Sequence, residues 1–167
     1  FEKAVVIIER KSTAITFIDT AIELMKNTSK DPFRVFYNTL IHDQNMYPSL
    51  YRSVLGISHQ ARSDEMLVKL RTKIGFVTTG ESRRTLFKDV LEKALEYAAN
   101  SIRDESLGQE LLGLVRDKTG RIDHPMGGSS DTTIAYLLTV WFVFYAKHVS
   151  DYNIDPVAIL SEAVRTT

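Results

Sequence analysis

Runs and repeats of apolar residues along this chain predict alternating strands and helices. Residues 4–8 form a continuous apolar run, which is typical of a strand covered on both faces. The run ends at Glu9, and Ser12 or Thr13 can cap a following helix. That helix is predicted from apolar residues spaced three and four apart, namely Ala14, Ile15, Phe17, Ile18, Ala21, Ile22 and Met25.

Two further strands are predicted downstream of this helix. The polar segment 27–32 ends the helix, and residues 33–38 and 73–79 each have the composition of a strand. A strand, a helix and a strand in this order imply a right-handed crossover and a parallel pair. Residues 39–66 are polar with no sustained period, so they predict an excursion with short local elements.

The second half of the chain begins with a strong helix pattern after Gly80, for which Ser82 is a plausible cap. The predicted apolar face of this helix consists of Leu86, Phe87, Val90, Leu91, Ala94, Leu95 and Ala98. Residues 106–115 predict a short helix or a helix that passes into a strand. The whole pattern indicates an α/β protein with a central sheet.

A hairpin, a loop and two helices complete the predicted order of elements. Residues 116–123 contain Asp-Lys-Thr-Gly, a favourable hairpin turn, and residues 124–130 form a glycine-containing loop. From Asp131 the chain enters a very apolar helix, and an amphipathic helix over about 155–165 follows. The longest apolar run, 134–146, is shorter than the roughly 20 residues that a membrane span needs.

Composition and charge narrow the function classes. The 167 residues suit a single domain, and there are no cysteines, which excludes disulfides, thiolate metal sites and cysteine nucleophiles. Lysine plus arginine and aspartate plus glutamate are both 21, which counts against holding nucleic acid by bulk positive charge alone but leaves room for a local basic patch. No glycine-rich phosphate loop, zinc motif or Gly-x-Ser-x-Gly elbow is present.

Glu9 and Asp131 are the main candidates for chemistry. Glu9 follows a predicted parallel strand at the sheet edge where α/β proteins bind ligands, although an exposed glutamate near a helix N-terminus explains the position equally simply. Asp131 opens the apolar helix, where Ser129 and Ser130 are alternative caps. Asp123 is a weaker acidic candidate, and the adjacent His124 suits a surface residue better than a ligand.

Carboxylates brought together repel one another unless a cation neutralises them, by about 4 kcal/mol at 4 Å for an effective dielectric constant of 20. Oxygen ligands without thiols suit Mg²⁺ or Mn²⁺, and paired ions of this kind support phosphoryl transfer. Lys69, Arg71 and Lys73 precede the third predicted strand, and Arg83 and Arg84 begin the next helix. Most of these cations suit a solvated face, but Arg83 and Arg84 are placed to meet DNA phosphates if this edge binds DNA.

The order of motifs resembles the C-terminal nuclease domain of the large terminase subunit of tailed bacteriophages. The resemblance rests on IIERKST ending the first strand, on KIGFVTTGESRRTLFKDVLE, and on DKTGRIDHPMGGSSDTTIAYLLTVWF. It covers roughly 3–146, except 39–66. It implies an RNase H-like fold with a central mixed sheet flanked by helices. It also implies a catalytic, metal-binding Glu9 and Asp131, with two Mg²⁺ or Mn²⁺ ions in the complete site.

Two departures from that family pattern change the expectation for this chain. Ser130-Asp131 stands where the family often has Asp-Asp, and the family's first catalytic aspartate lies on a strand well upstream of the glutamate. We therefore expect a fragment, 1–167, without the first strands of the nuclease domain and without the ATPase domain that precedes it. Cleavage and metal binding by this chain are expected to be weak or absent, although the intact protein would cut DNA.

The resemblance implies an endonuclease that cuts concatemeric double-stranded DNA during packaging, in the cytoplasm of an infected bacterial host. Glu9, Asp131 and the auxiliary Asp123 would hold metal, while Arg83, Arg84 and Lys73 would contact DNA. The portal protein and the small terminase subunit would be partners, and no membrane is involved. Alternatives are another RNase H-like nuclease of the resolvase or transposase type, or a catalytically inactive assembly module.

Overall fold

A computed structural model describes residues 4–128 and 130–165, which divide into two compact units. Unit 1 contains the described residues up to Val77 together with Ala146–Ile154, and unit 2 contains Thr78–Tyr145 and the described residues from Asp155 onward. The helices of unit 1 are α1 (Ala14–Met25), α2 (Pro32–Val35), α3 (Thr39–His42), α4 (Pro48–Leu55) and α5 (Asp64–Leu70), with 3₁₀ turns at His59–Ala61, Arg71–Lys73 and Val149–Tyr152.

Unit 2 has α6 (Gly80–Thr85), a π-helical turn (Leu86–Val90), α7 (Leu91–Tyr97), a 3₁₀ turn (Ala99–Ser101), α8 (Glu105–Leu112), α9 (Asp131–Tyr145) and α10 (Pro156–Arg165). Its two strands, β1 (Val115–Arg116) and β2 (Ile122–Asp123), pair antiparallel. The protein thus combines helices with a small sheet and is α/β in this broad sense. None of the described helices has both the length and the apolar character that a membrane crossing requires.

Extended segments in unit 1 meet where the predicted sheet was expected, but they form isolated bridges. Val6 pairs parallel with Phe36, Glu9 pairs parallel with Phe76, and Asn38 pairs antiparallel with Ile74. The parallel relation of the first two segments agrees with the predicted crossover through α1. Among the described residues the only ladder longer than one bridge is β1–β2, so the expected central mixed sheet is not shown.

The strand predicted over 33–38 is wrong for its first half. The Asp31 side chain accepts a hydrogen bond from Phe33 N at 2.9 Å, and Pro32 stands at the first helical position. Both features favour a helical turn over a strand, because the proline ring sets φ and the aspartate satisfies a free N–H group. Only Phe36 and Asn38 are left to pair with neighbouring segments.

The core of unit 1 lies between α1, α5 and these bridged segments. It is formed by Ile18, Ile22, Phe33, Phe36, Leu40, Val54, Leu67, Leu70 and Ile74. Asn38 is fully buried beside it, with its Nδ2 donating to the Phe33 and Phe36 carbonyls and its Oδ1 accepting from Ile41 N, each at 2.9 Å. The Tyr152 hydroxyl accepts from the backbone N–H of Asn38 at 3.0 Å. Asn38 thus connects α2 and α3 through its side chain and the later 3₁₀ turn through its backbone.

Gly75 allows the segment that ends at Glu9 to approach residues 74–76 closely. Its φ is +92°, and a Cβ atom there would lie 2.9 Å from the Ile8 carbonyl oxygen and 2.7 Å from Arg10 Cγ. The hydrogen bonds from Phe76 N to Ile8 O and from Arg10 N to Phe76 O, both 2.7 Å, depend on this approach. A residue with a side chain would be strained both by the backbone conformation and by the contact.

In unit 2 one nearly continuous helical segment, 80–97, packs on α9, and α8 also contacts α9. Thr79 is its N-cap, and Ser82, which was expected to cap it, instead completes a capping box as the third residue. The predicted apolar face is buried at Leu86, Phe87, Val90, Leu91 and Ala94, whereas Leu95 is 57% exposed. The predicted hairpin is confirmed, with Gly120 at φ +83° in its turn.

The close approach at Gly75 generates a stability prediction. Gly75→Ala should lower the free energy of unfolding by about 2 kcal/mol or more, because the positive φ and the contact with the Ile8 carbonyl act together. Gly80→Ala is the control, since a Cβ atom there meets no atom within 4 Å. Urea denaturation of both variants is the measurement. Equal stability of Gly75→Ala and the parent chain would contradict this role for Gly75.

Candidate functional site

The predicted site residues fall in both units, so each set is described within its own unit. Glu9 and Lys73 belong to unit 1, whereas Arg83, Arg84, Asp123 and Asp131 belong to unit 2. Within each unit, the surroundings of these side chains show which of them are already engaged.

Glu9 stands at the end of the first extended segment, as predicted. Its backbone pairs parallel with Phe76, and its carboxylate Oε2 lies 3.0 Å from Lys11 Nζ. The Glu9 side chain is 17% exposed and the Lys11 side chain 57% exposed, so an exposed cation faces a largely covered carboxylate. An exposed lysine is a partner that a metal ion can displace at small cost, because such ion pairs contribute little.

The basic residues before the third extended segment are engaged locally. Lys69 Nζ lies 2.7 Å from Glu65 Oε1, and Arg71 Nη1 lies 2.6 Å from Asp19 Oδ2. Lys73, the predicted DNA contact of this group, has its Nζ 5.7 Å from the centroid of the Tyr47 ring. Lys69 and Arg71 therefore belong to a solvated charged face, which was one of the two interpretations of their sequence pattern.

Asp123 forms the most extensive ion-pair cluster of unit 2. Arg83 binds it in a bidentate manner, with Nη2 at 2.7 Å from Oδ1 and Nε at 3.2 Å from Oδ2, and Arg121 Nη2 adds a contact of 2.8 Å to Oδ2. The Asp123 Oδ1 atom also accepts from His124 N at 2.9 Å. We call Arg83, Arg121, Asp123 and His124 the Asp123 cluster. It joins the helical segment 80–97 to the hairpin.

The electrostatics of the cluster hold Asp123 ionised. The hydrogen bonds from Arg83, with further contributions from His124 N and Arg121, lower the pKa of Asp123 from 3.8 to about 2 in spite of partial burial. Asp123 was predicted as an auxiliary metal ligand, and a cation there would have to replace two guanidinium groups. Arg83 was predicted to contact DNA, and its guanidinium already serves Asp123, with a 3.4 Å contact to Ser130 Oγ besides.

The Phe87 ring packs against two members of this cluster, Arg83 and His124. The Arg83 guanidinium carbon lies 4.9 Å from the ring centroid, and the His124 ring stands edge-on to it at 6.0 Å and 87°. His124 Nε2 is buried and has no hydrogen-bond partner among the described residues. The side chain is therefore held by packing, and not placed as a surface residue as the sequence suggested.

Asp131 is the first residue of α9 and is exposed, as predicted for the start of the apolar helix. Ser130 O accepts the first helical hydrogen bond from Ile134 N at 2.8 Å, while Ser129, the other predicted cap, lies outside the described residues. A carboxylate from outside this helix, that of Glu110, serves one of its free N–H groups. Its Oε2 accepts from Thr133 N at 2.8 Å and from Thr133 Oγ1 at 2.9 Å.

Sequence reasoning missed Glu110 and Arg121. Burial alone would raise the pKa of Glu110, but the hydrogen bonds from Thr133 outweigh it and lower that pKa, which keeps the helix cap ionised. Glu110 and Thr133 are separated by 23 residues, and no local signal connects them. For Arg121 a signal existed, because residues two apart on a strand point to the same face, which brings Arg121 to Asp123.

The donor types suit Mg²⁺ or Mn²⁺, but the described residues contain no group of three or more His, Asp or Glu side chains that could hold a metal ion. Glu9 and Asp131 each offer a carboxylate. The Asp123 carboxylate is already hydrogen-bonded to Arg83 and Arg121 through its two oxygens. We therefore assign no coordination geometry to an ion and no reaction step to one.

The Asp123 cluster generates a pH prediction. Asp123→Asn should lower the free energy of unfolding by about 1–2 kcal/mol at neutral pH, because the ionised carboxylate and its guanidinium partners are lost. Since the folded pKa of about 2 lies below the ordinary 3.8, this stabilisation is present above about pH 4 and is lost as pH falls towards 2.

Urea denaturation of the parent chain and Asp123→Asn between pH 7 and pH 2 measures the effect. Arg121→Gln is the control and should cost less, because the Arg121 side chain is 52% exposed whereas that of Arg83 is 25% exposed. A stability difference between the parent and Asp123→Asn that does not shrink in acid would contradict the assignment.

Comparison with known proteins adds no relative. No family model, no curated protein and no solved structure matches the chain. The resemblance to the terminase nuclease domain therefore stays a prediction, and the residues described above carry the argument about function.

Proposed function

We propose that this chain is part of a metal-dependent endonuclease of the large terminase type, which cleaves concatemeric double-stranded DNA during viral packaging. The observation that carries the proposal is the position of Glu9. It ends an extended segment that makes single parallel bridges with two others, Val6 with Phe36 and Glu9 itself with Phe76, and α1 lies between this segment and Phe36 in the chain. Carboxylates at the ends of parallel strands are where α/β enzymes carry out chemistry.

Unit 2 supports the proposal through the second carboxylate. A hairpin, a loop with Gly127 and Gly128, and Asp131 opening an apolar helix follow one another in the order that the resemblance requires. Glu110 Oε2 accepts from Thr133 N, so one free N–H group of α9 is satisfied by a side chain other than that of Asp131. Asp131 is exposed at the helix start, where a carboxylate can serve a cation.

The proposal assigns metal binding and catalysis to Glu9 and Asp131, with Mg²⁺ or Mn²⁺ as the ion. A bound divalent ion of this kind activates water and stabilises the leaving oxygen of a phosphodiester. Lys73 and Arg84 are the proposed DNA contacts, and Arg83, through Asp123, positions the hairpin. An RNase H-like central sheet, the portal protein and small terminase subunit as partners, and the cytoplasm of an infected bacterial host belong to the same proposal.

A second candidate function is an assembly module without catalysis. It is favoured by Ser130, which stands where the resemblance expects a carboxylate, and by the lack of a group of three metal ligands among the described residues. An assembly module would keep the scaffold of both units but would have no need of Glu9 or Asp131.

Cleavage of supercoiled plasmid in Mn²⁺ tests the nuclease proposal. We expect slow, metal-dependent nicking that falls by about 100-fold or more in Glu9→Gln and in Asp131→Asn, because each removes a charged metal ligand while keeping its shape. Asp89→Asn is the control, since Asp89 is an exposed carboxylate in the helical segment 80–97, and it should nick DNA like the parent.

Nicking that persists in Glu9→Gln or Asp131→Asn, or that continues in chelator, would contradict the assignment of these residues. A chain that neither nicks DNA nor binds Mn²⁺ near Glu9 or Asp131 at millimolar concentration would favour the assembly module instead.

A further inference from the structure

Two adjoining cavities in unit 2 form a groove between the helical segment 80–97 and the hairpin. The larger, of about 820 Å³, is bordered by the exposed cations Arg84, Lys88, Arg116 and Arg121 and by one carboxylate, Glu92. The smaller, of about 230 Å³, is lined by apolar side chains that include Leu111, Leu114 and Val115. Both cavities share Leu91, Leu95, Arg116 and Ile122. We call the two together the hairpin groove.

Charge defines one end of this groove. Four cations face one carboxylate, which leaves an excess of three positive formal charges in a chain whose net charge is zero. Arg121 shares its charge with Asp123 outside the groove. Among the described residues, Arg84 and Arg116 each use one Nε–H on a backbone carbonyl, of Gly80 and Gly120. Their remaining guanidinium N–H groups can therefore serve an anion.

The other end of the groove is apolar and partly open to solvent. Leu95 is 57% exposed and Val115 is 49% exposed, although the pattern predicted Leu95 to be buried. Large apolar side chains left exposed beside a recess indicate a surface that another molecule covers. A DNA backbone, which presents only phosphate and sugar, would gain little from a recess lined by leucine and valine.

We propose that the hairpin groove binds a peptide segment of a partner protein that carries acidic residues next to large apolar ones. The glutamates or aspartates of the segment pair with Lys88, Arg116 and Arg121, and a leucine or phenylalanine fills the apolar recess. Charge complementarity selects an anionic segment, and the recess distinguishes a protein segment from a nucleic acid. This interaction goes beyond the proposed nuclease function and requires neither Glu9 nor Asp131.

Fluorescence anisotropy with the full chain tests the proposal, using a labelled peptide of glutamates interrupted by leucine and phenylalanine. Lys88→Gln combined with Arg116→Gln should weaken its binding by about tenfold or more, because two charge-paired contacts at the groove are lost. Lys118→Gln, in the hairpin turn but outside the groove lining, is the matched control and should bind like the parent. Arg84 is left unchanged because the proposed nuclease also uses it on DNA.

Val115→Ser provides a second variant that tests the apolar end without altering charge. It should weaken the peptide but not a polyglutamate of the same length, and thermal melting should confirm that each variant is folded. Three results would each overturn the proposal: no binding of the peptide, equal binding of polyglutamate and peptide by the parent, or tighter binding of labelled DNA that is lost in the Lys88 and Arg116 variant. Plasmid nicking by these variants should match the parent, so failure here is distinguishable from failure of the nuclease proposal.

Discussion

The bidentate ion pair between Arg83 and Asp123 links two parts of unit 2 that are 40 residues apart in the sequence. It fastens the hairpin to the helical segment 80–97 with one partly buried guanidinium, and Arg121 reinforces it from the hairpin itself. Because both partners are about three-quarters covered, water competes weakly and the geometry is kept. The same pair holds together the helical segment and the hairpin whose residues line the hairpin groove.

The same ion pair changes the role that Asp123 and Arg83 can have. A carboxylate bound by two arginines is an electrostatic anchor, and an arginine bound to that carboxylate is no longer a free phosphate contact. The proposed chemistry therefore rests on Glu9 and Asp131, which differ in exposure and in their surroundings. Glu9 is largely covered and pairs with the exposed Lys11, whereas Asp131 is exposed at the start of a helix in which Glu110 accepts from Thr133 N.

Local features of this fold could be predicted from the sequence, and long-range pairing could not. The helix α1, the hairpin turn and the apolar helix α9 follow from spacing and turn chemistry within about a dozen residues. The central sheet was inferred from apolar runs, which are equally compatible with the single bridges found at Val6, Glu9 and Asn38. Residues 33–38 have the composition of a strand, but the Asp31 cap and Pro32 start a helical turn there, so a local capping signal can override a β-like composition.

In the candidate site, too, local positions could be predicted and long-range contacts could not. The places of Glu9 and Asp131 at the ends of their elements could be predicted, because each is a matter of local position. The pairs Arg83–Asp123 and Glu110–Thr133 could not, since their members are 40 and 23 residues apart in the sequence. Only folding brings such groups together, and no spacing rule encodes them.

Paramagnetic broadening by Mn²⁺, read in amide NMR spectra of the chain, tests the central claim most directly. If Glu9 and Asp131 are both metal ligands, titration to millimolar Mn²⁺ broadens amide signals next to each of them. Glu9→Gln should then abolish the broadening next to position 9, and Asp131→Asn should abolish that next to position 131, because each variant loses a metal ligand. Broadening that persists next to a substituted position, or that does not arise next to either residue in the parent chain, would contradict the account.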